Sequence, residues 1–294
     1  MQIGRILILQ ETYTLNNGVK IPKIGFGTWM IRDEDVVEAV KEAIDSGYKH
    51  IDTAQAYGNE NGVGVAIRDS GVDRTELFIT TKLAAEVKSY EEAVNAIDSS
   101  LKAMGLDYID LMIIHSPKPW TKFHGDDHYF EGNQAAWKAL EEAHKAGKLK
   151  AIGVSNFEKV DLDNILENCS VKPAVNQVLA HISNTPFDLI EYTQSKDILV
   201  EAYSPIAHGE LMKNQEVVDM AKKYGVSVPQ LSIRYTLQLG LLPLPKSENP
   251  KHIRSNADVD FEISDDDMEQ LKNLDQIKDY GDASVMPVFG GKLD

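Results

Sequence analysis

Tyr108-Ile109-Asp110-Leu111-Met112-Ile113-Ile114, followed by His115, decides the fold. From Leu111 to Ile114 no polar residue marks a solvent face. A strand with one wet face alternates, whereas an unbroken apolar run suits a parallel strand buried on both sides. Seven more short runs share this texture: Ile24–Gly27, His50–Asp52, Leu77–Thr81, Leu149–Val154, Ala174–Gln177, Ile198–Ala202 and Leu241–Leu244. Eight strands are therefore expected.

Helical patterns fill the gaps. Val36, Val37, Val40 and Ile44 recur at helical spacing, with Gly47 at the expected end. Ser89 and Glu92 read as a capping box before Val94, Ile97, Leu101 and Met104, and Gly105 stops that helix. Further helical stretches are Ala135–Lys145, Leu162–Leu166, Leu189–Gln194, Val217–Tyr224, Pro229–Leu239 and Ser264–Leu274. Ahead of the first strand, Tyr13–Leu15 and Val19–Ile21 flank Asn16-Asn17-Gly18, a hairpin signal. No linker divides the chain. The expectation is an α/β fold, a (β/α)8 TIM barrel over residues 1–294, with an N-terminal hairpin plug. Residues 1–11 are expected to be a disordered extension. The Gly- and Pro-bearing tail, 275–294, is expected either to fold over the mouth or to stay disordered.

Composition narrows the function. The 294 residues are 43% hydrophobic and 26% charged, with 46 acidic against 30 basic side chains and a net charge of −16. Such a balance argues against nucleic acid or an anionic membrane as partner, since phosphates are held by clustered Lys and Arg. No apolar run approaches the roughly 20 residues of a membrane span. The stretch Ile6–Leu9 is shorter than a secretory core of about 7–15 residues. A single cysteine, Cys169, excludes an internal disulfide, and a cytoplasmic monomer is expected.

Polar residues cluster where the apolar runs stop. Asp52, Lys82, His115, Ser155, Asn156, Gln177, Tyr203, Ser204, Lys246 and Ser247 each end or follow a run. In a barrel these positions share the C-terminal mouth, where barrel active sites lie.

Four stretches, Gly47-Tyr48-Lys49-His50-Ile51-Asp52-Thr53-Ala54, Tyr57-Gly58-Asn59-Glu60, Gly153-Val154-Ser155-Asn156-Phe157 and Leu244-Pro245-Lys246-Ser247, resemble signatures of the aldo-keto reductases. The resemblance runs from about Thr12 to Met286 and is strongest to bacterial reductases of diketogluconate and glyoxal. It implies NADP(H) bound across a barrel mouth without a Rossmann fold; NADH is expected as a secondary cofactor because His252 and Glu248 offer a 2′-phosphate less positive charge than arginine would. An absence agrees: Gly25-Phe-Gly27 and Gly62-Val-Gly64 each lack the third glycine and downstream acid of a dinucleotide fingerprint.

The resemblance assigns a catalytic tetrad to Asp52, Tyr57, Lys82 and His115. Its logic also stands on chemistry. Hydride addition to a carbonyl leaves charge on oxygen, so a proton donor is needed. A tyrosine with pKa near 10 serves only if a nearby cation favours its phenolate. Lys82 supplies that cation, Asp52 orients Lys82, and His115 positions the carbonyl. As cofactor contacts the resemblance implies Thr28 near the riboside, Asp52, and Ser155, Asn156 and Gln177 on the carboxamide. It places Tyr203 under the ring, Ser204, Pro205 and Ile206 on the diphosphate, and Lys246, Ser247, Glu248, Asn249, His252 and Asn256 at the adenosine phosphate. Ile206-Ala207-His208-Gly209 departs from the usual sequence, as does His252, where NADPH-preferring relatives carry arginine. Trp29, Tyr57, His115 and Trp120 are the expected substrate wall; Ser116 stands where many relatives have tryptophan. His124-Gly125-Asp126-Asp127-His128 reads as a polar loop rather than a metal site, and no metal is expected.

The function expected is NADPH-dependent reduction of small aldehydes, dicarbonyls or keto-sugars. Two alternatives are a cofactor-sensing subunit with little turnover, as in potassium-channel β subunits, and a Schiff-base lyase using Lys82.

Overall fold

The structure, a computed structural model, describes residues 7–293. Its first two strands, β1 (Thr12–Thr14) and β2 (Lys20–Pro22), form an antiparallel hairpin. Six strands of an eight-stranded sheet then alternate with helices: β3 (Phe26–Gly27), α1 (Asp33–Asp45), β4 (His50–Asp52), α2 (Glu60–Asp69), β5 (Phe78–Leu83), α3 (Tyr90–Met104), β6 (Ile109–Ile114), α4 (Phe130–Lys145), β7 (Leu149–Ser155), α5 (Lys159–Asn168) and β8 (Val175–Leu179). The remainder comprises α6 (Phe187–Ser195), β9 (Leu199–Tyr203), α7 (Gln215–Tyr224), α8 (Val228–Gln238), β10 (Leu242–Leu244), α9 (Pro250–Ser255) and α10 (Asp265–Lys272). Strands β3 to β10 lie side by side in sequence order, all parallel. Gly25 N and Gly27 N donate to the carbonyls of Pro243 and Pro245, 3.1 and 2.9 Å away, and bring the ends of the sheet together as a barrel.

β6 shows why its sequence lacks a polar face. Met112 and Ile114 face outward, in the cluster that also holds helix residues such as Val36 and Ile97. Leu111 and Ile113 join Ala151, Val175 and Leu242 in a separate inner cluster. Both faces are dry. The hairpin closes the floor of that cluster with Leu15 and Ile21. Asn16 Nδ2 fixes it there by donating to the carbonyls of Pro173 (2.8 Å) and Asp197 (3.0 Å), just ahead of β8 and β9.

Besides the short α9, two features depart from the sequence reading. α2 was not anticipated, because Gly62 and Gly64 weaken its helical signal. A Cβ at Gly62 would lie 2.2 Å from the Asp33 carbonyl oxygen, and one at Gly64 would lie 2.2 Å from that of Met104. These glycines let α2 pack tightly against α1 and α3. The expected disordered extension is also corrected where it can be seen. Leu7–Gln10 forms a 3₁₀ turn with Ile8 and Leu9 buried. The Asp260 carboxylate accepts from Leu7 N (2.7 Å) and Ile8 N (3.2 Å), which ties the turn down. Residues 1–6 of that expected extension lie outside the described residues.

Of the two outcomes left open for the tail, folding over the mouth is the one observed. Gly281–Val285 and Pro287–Phe289 form short turns, and Met286, Val288 and Phe289 reach the mouth. Tyr280 anchors them: its hydroxyl lies 2.9 Å from His181 Nε2 and accepts from Asn184 Nδ2 at 2.8 Å.

Candidate active site

Parallel strands deliver their C-terminal residues to one end of the barrel. Asp52 ends β4, Lys82 lies near the end of β5, and His115 follows β6. Tyr57 comes from the 3₁₀ turn Gln55–Tyr57 after β4. Gln55 holds that turn: its amide nitrogen donates to Ala96 O and Ser100 Oγ, both at 2.8 Å, and its oxygen accepts from Ala84 N at 2.9 Å.

Lys82 is wholly buried at the centre of the group. Its ammonium pairs with the Asp52 carboxylate and donates to Thr53 O at 2.9 Å and to the Tyr57 hydroxyl at 3.1 Å. Burial alone would lower the Lys82 pKa, but Asp52, Tyr57 and these hydrogen bonds outweigh it and leave it raised. The same burial pushes the Tyr57 phenol above its ordinary value, while Lys82 pulls it back down. A phenol held neutral, with a cation against its oxygen, is a proton donor whose anion is already provided for.

The His115 ring meets Tyr57 edge-on, 5.7 Å between centroids. Burial, reinforced by Lys82, holds its pKa well below the histidine range, so the ring is neutral. Nδ1 is buried without a partner. An orphaned acceptor is tolerated better than an orphaned N–H, which places the proton on Nε2, the nitrogen left for a substrate oxygen.

Beside this group, Trp120 packs edge-on to His115 at 5.1 Å, and Trp29 stacks on Phe289 at 6.0 Å. Both tryptophans line a cavity of about 780 Å³ that also reaches Asp52, Tyr57 and His115. The cavity continues past Thr28, Ser155, Asn156, Gln177, Tyr203, Ser204, Pro205 and Ile206 to Lys246, Ser247, His252 and Asn256. One aromatic end beside a proton donor, with a polar path ending at a cation, fits a dinucleotide laid across the mouth. Gln177 commits its Nε2 to Asp52 and Glu201, which leaves Oε1 for the cavity, and Lys246 carries the charge at the far end.

The structure does not bring every expected residue to the wall. Glu248 stands outside it, paired with Lys246 at 2.9 Å, and Asn249 instead caps α9 by accepting from Lys251 N at 3.0 Å. The Asn156 amide is largely committed within the protein, to His115 O at 3.0 Å and the Tyr203 hydroxyl at 2.7 Å. Other wall residues went unread in the sequence: His208, Ser227, Ser255 and Phe289. His208 sits in the departing stretch after Ser204, bonds Ser204 Oγ at 3.0 Å, and packs against Trp29 and Phe289. No local pattern singles out Phe289, whose place depends on the anchored tail. The two loop histidines have separate partners: His124 bonds Gly291 O and His128 bonds Asp161, each at 2.9 Å.

The profile of the aldo/keto reductase family matches residues 23–276. The chain is 41% identical over 275 residues to a glyoxal reductase of Bacillus subtilis, covering 93% of this chain and 96% of the relative. The aldose reductase structure from Schistosoma japonicum superposes with a TM-score of 0.85 at 35% identity, covering 94% of this chain and 96% of the other. An aldo-keto reductase of Bombyx mori, solved in complex with NADP, superposes with a TM-score of 0.83 at 33% identity, covering 93% and 95%.

Proposed function

The chain belongs to the aldo/keto reductase family, and we propose that it reduces small aldehydes and dicarbonyls, with Asp52, Tyr57, Lys82 and His115 as its catalytic machinery. It is an oxidoreductase that uses NADP(H) to reduce carbonyl compounds. The cofactor supplies the hydride. Everything else falls to the protein. His115 Nε2 donates to the substrate oxygen and sets it beside the Tyr57 hydroxyl. Tyr57 gives that oxygen a proton, and Lys82, oriented by Asp52 and Thr53 O, stabilises the phenolate left behind. Trp29, Trp120 and Phe289 keep water from the reacting atoms.

The observation that carries this reading is Lys82 Nζ at 3.1 Å from the Tyr57 hydroxyl within a buried ion pair. The same contact disfavours a Schiff-base lyase, since a charged, raised-pKa lysine is a poor amine nucleophile. In the cofactor groove, Gln177, Tyr203, Ser204, Lys246, Ser247 and His252 are the proposed contacts. The aromatic wall of Trp29, Trp120 and Phe289 favours short, less polar carbonyls over extended sugars, and the similarity to a glyoxal reductase points the same way. The deciding experiment follows NADPH oxidation with glyoxal, methylglyoxal, short aldehydes and keto-sugars. Turnover of the dicarbonyls is expected; activity on none of these panels refutes the substrate class. We further propose a monomer in the cytoplasm, in keeping with an acidic chain bearing one cysteine. Sedimentation and cell fractionation test both points; no helix among the described residues is long and apolar enough to cross a membrane.

A further inference from the structure

A carboxyl group that the proposed reaction does not use lies beneath the tetrad. Glu201, in β9, has no solvent exposure. It pairs in register with Gln177 of β8 on one side and with Leu242 of β10 on the other. Its Oε2 accepts from Gln177 Nε2 at 2.7 Å, and its Oε1 is buried with no partner. The same Gln177 nitrogen donates to Asp52 Oδ2 at 2.9 Å.

An amide nitrogen carries two hydrogens, and here both are committed to carboxyl oxygens. Gln177 also lines the cavity, so what it offers there is Oε1, a pure acceptor. Asp52, ion-paired to Lys82, dictates which way the amide points. Glu201 takes the hydrogen that Asp52 leaves over.

We propose that Glu201 is a positioning residue for cofactor recognition: by accepting the second amide hydrogen of Gln177 it keeps that side chain an acceptor only, which selects a nicotinamide ring whose carboxamide bears N–H donors. This rests on the reading that the nicotinamide end lies beside Tyr57. Without Glu201 a buried amide hydrogen lacks a partner, and the side chain gains by turning it elsewhere.

The charge state of Glu201 fits the role. Burial, assisted by Asp52, pushes its carboxyl up to about 8, against the opposing pull of the Gln177 hydrogen bond and Lys82. At neutral pH it therefore accepts as a neutral acid, adding no second negative charge to the Asp52–Lys82 pair. The groups facing it are Asp52 from β4, Lys82 from β5 and Gln177 from β8, with apolar Leu242 on β10. Ionisation as pH rises through about 8 adds a buried negative charge, which favours the cationic ring of NADP+ over NADPH.

The test is tryptophan-fluorescence titration of wild type, Glu201→Gln and Glu201→Leu with NADPH, NADP+ and the 3-acetylpyridine analogue of NADP+. In the analogue a methyl group replaces the carboxamide nitrogen. Wild type should prefer NADP+ over the analogue by about tenfold or more, the loss expected when a buried acceptor is left unpaired. Glu201→Leu should bring that ratio close to one. Glu201→Gln, whose side-chain oxygen can accept in the same place, should keep the ratio at pH 7. It should also lose the gain in NADP+ affinity relative to NADPH that wild type shows between pH 7 and pH 9. A wild-type ratio in Glu201→Leu, or a collapsed one in Glu201→Gln, overturns the assignment. Should Glu201→Leu not fold, an unchanged pH dependence in Glu201→Gln overturns it alone. If wild type binds none of the three dinucleotides, the reading of the cavity fails first, and this inference with it.

Discussion

The Lys82 ammonium lies 3.1 Å from the Tyr57 hydroxyl and 4.7 Å from the centre of its ring. One cation thus touches both the oxygen that would shed a proton and the ring that would share the resulting charge. Burial opposes that ionisation and Lys82 assists it. The balance between the two is the quantity that mutation can move.

Tyr57→Phe removes the proton donor and keeps the ring. Reduction should slow by about 10²-fold or more in kcat, the loss typical of a missing general acid. NADPH affinity should stay near wild type, because the hydroxyl faces the substrate side. Steady-state kinetics with fluorescence titration of NADPH checks both. Parallel loss of binding and turnover would mean that Tyr57 shapes the groove rather than the chemistry.

Lys82→Met should raise the phenol's pKa further, since Lys82 is the group lowering it. Both directions should slow. Alcohol oxidation, which needs the phenolate as base, should suffer more, and its rise with pH should move to higher pH. Paired pH–rate profiles measure this. Profiles superimposable on wild type are incompatible with an electrostatic role for Lys82.

His252 lines the far end of the cavity, and Lys246 is held there by Glu248 at 2.9 Å. An imidazole makes a weaker clamp for a phosphate than a guanidinium, so the wild type should use NADH appreciably while preferring NADPH. His252→Arg should tighten NADPH by about 1–2 kcal/mol, in the range of a charge-assisted hydrogen bond, and leave NADH nearly unchanged. Dissociation constants for both cofactors decide the matter. Equal effects on the two would place His252 away from the 2′-phosphate.

Acid should destabilise the fold through two buried histidines. Burial, with Lys82 adding to it, holds His50 down to about 3; burial, against the opposing pull of the Ile182 carbonyl that accepts from the ring, holds His181 down to about 4. Both folded values lie below the unfolded value of about 6.5. Their stabilisation is therefore full above pH 6.5 and is lost as pH falls towards 4 and then 3. Between pH 6.5 and 5 the pair should forfeit roughly 3–4 kcal/mol. Urea unfolding at a series of pH values tests it, with His181→Gln expected to show a shallower decline. Stability that is flat from pH 7 to 5 would contradict the buried, neutral state of both rings.

Much of the barrel was legible because burial leaves a periodic trace. Leu111 and Ile113 face one way, Met112 and Ile114 the other, and a run without polar interruption reports that both sides are dry. Once the strands are parallel, the polar residues closing each run must share one mouth, so Asp52, Lys82, His115 and Gln177 could be grouped before any contact was known. α2 escaped notice for a physical reason. Gly62 and Gly64 depress helix propensity, yet the close approach of Asp33 and Met104 requires them.

By itself, then, the sequence determined the strand count, the order of the βα units and the end of the barrel where chemistry gathers, since each follows from local periodicity and chain direction. Partnership across the barrel was decided only by tertiary structure. Nothing near Glu201 distinguishes it from a polar residue on a strand edge. Closure of the sheet sets it opposite Gln177, and Gln177 opposite Asp52, 125 residues away. Phe289 likewise reaches Trp29 because Tyr280 finds His181, 99 residues earlier. Periodicity encodes which side of an element is buried; which hydrogen bond a buried group makes depends on register and closure, and those exist only once the distant strands have met.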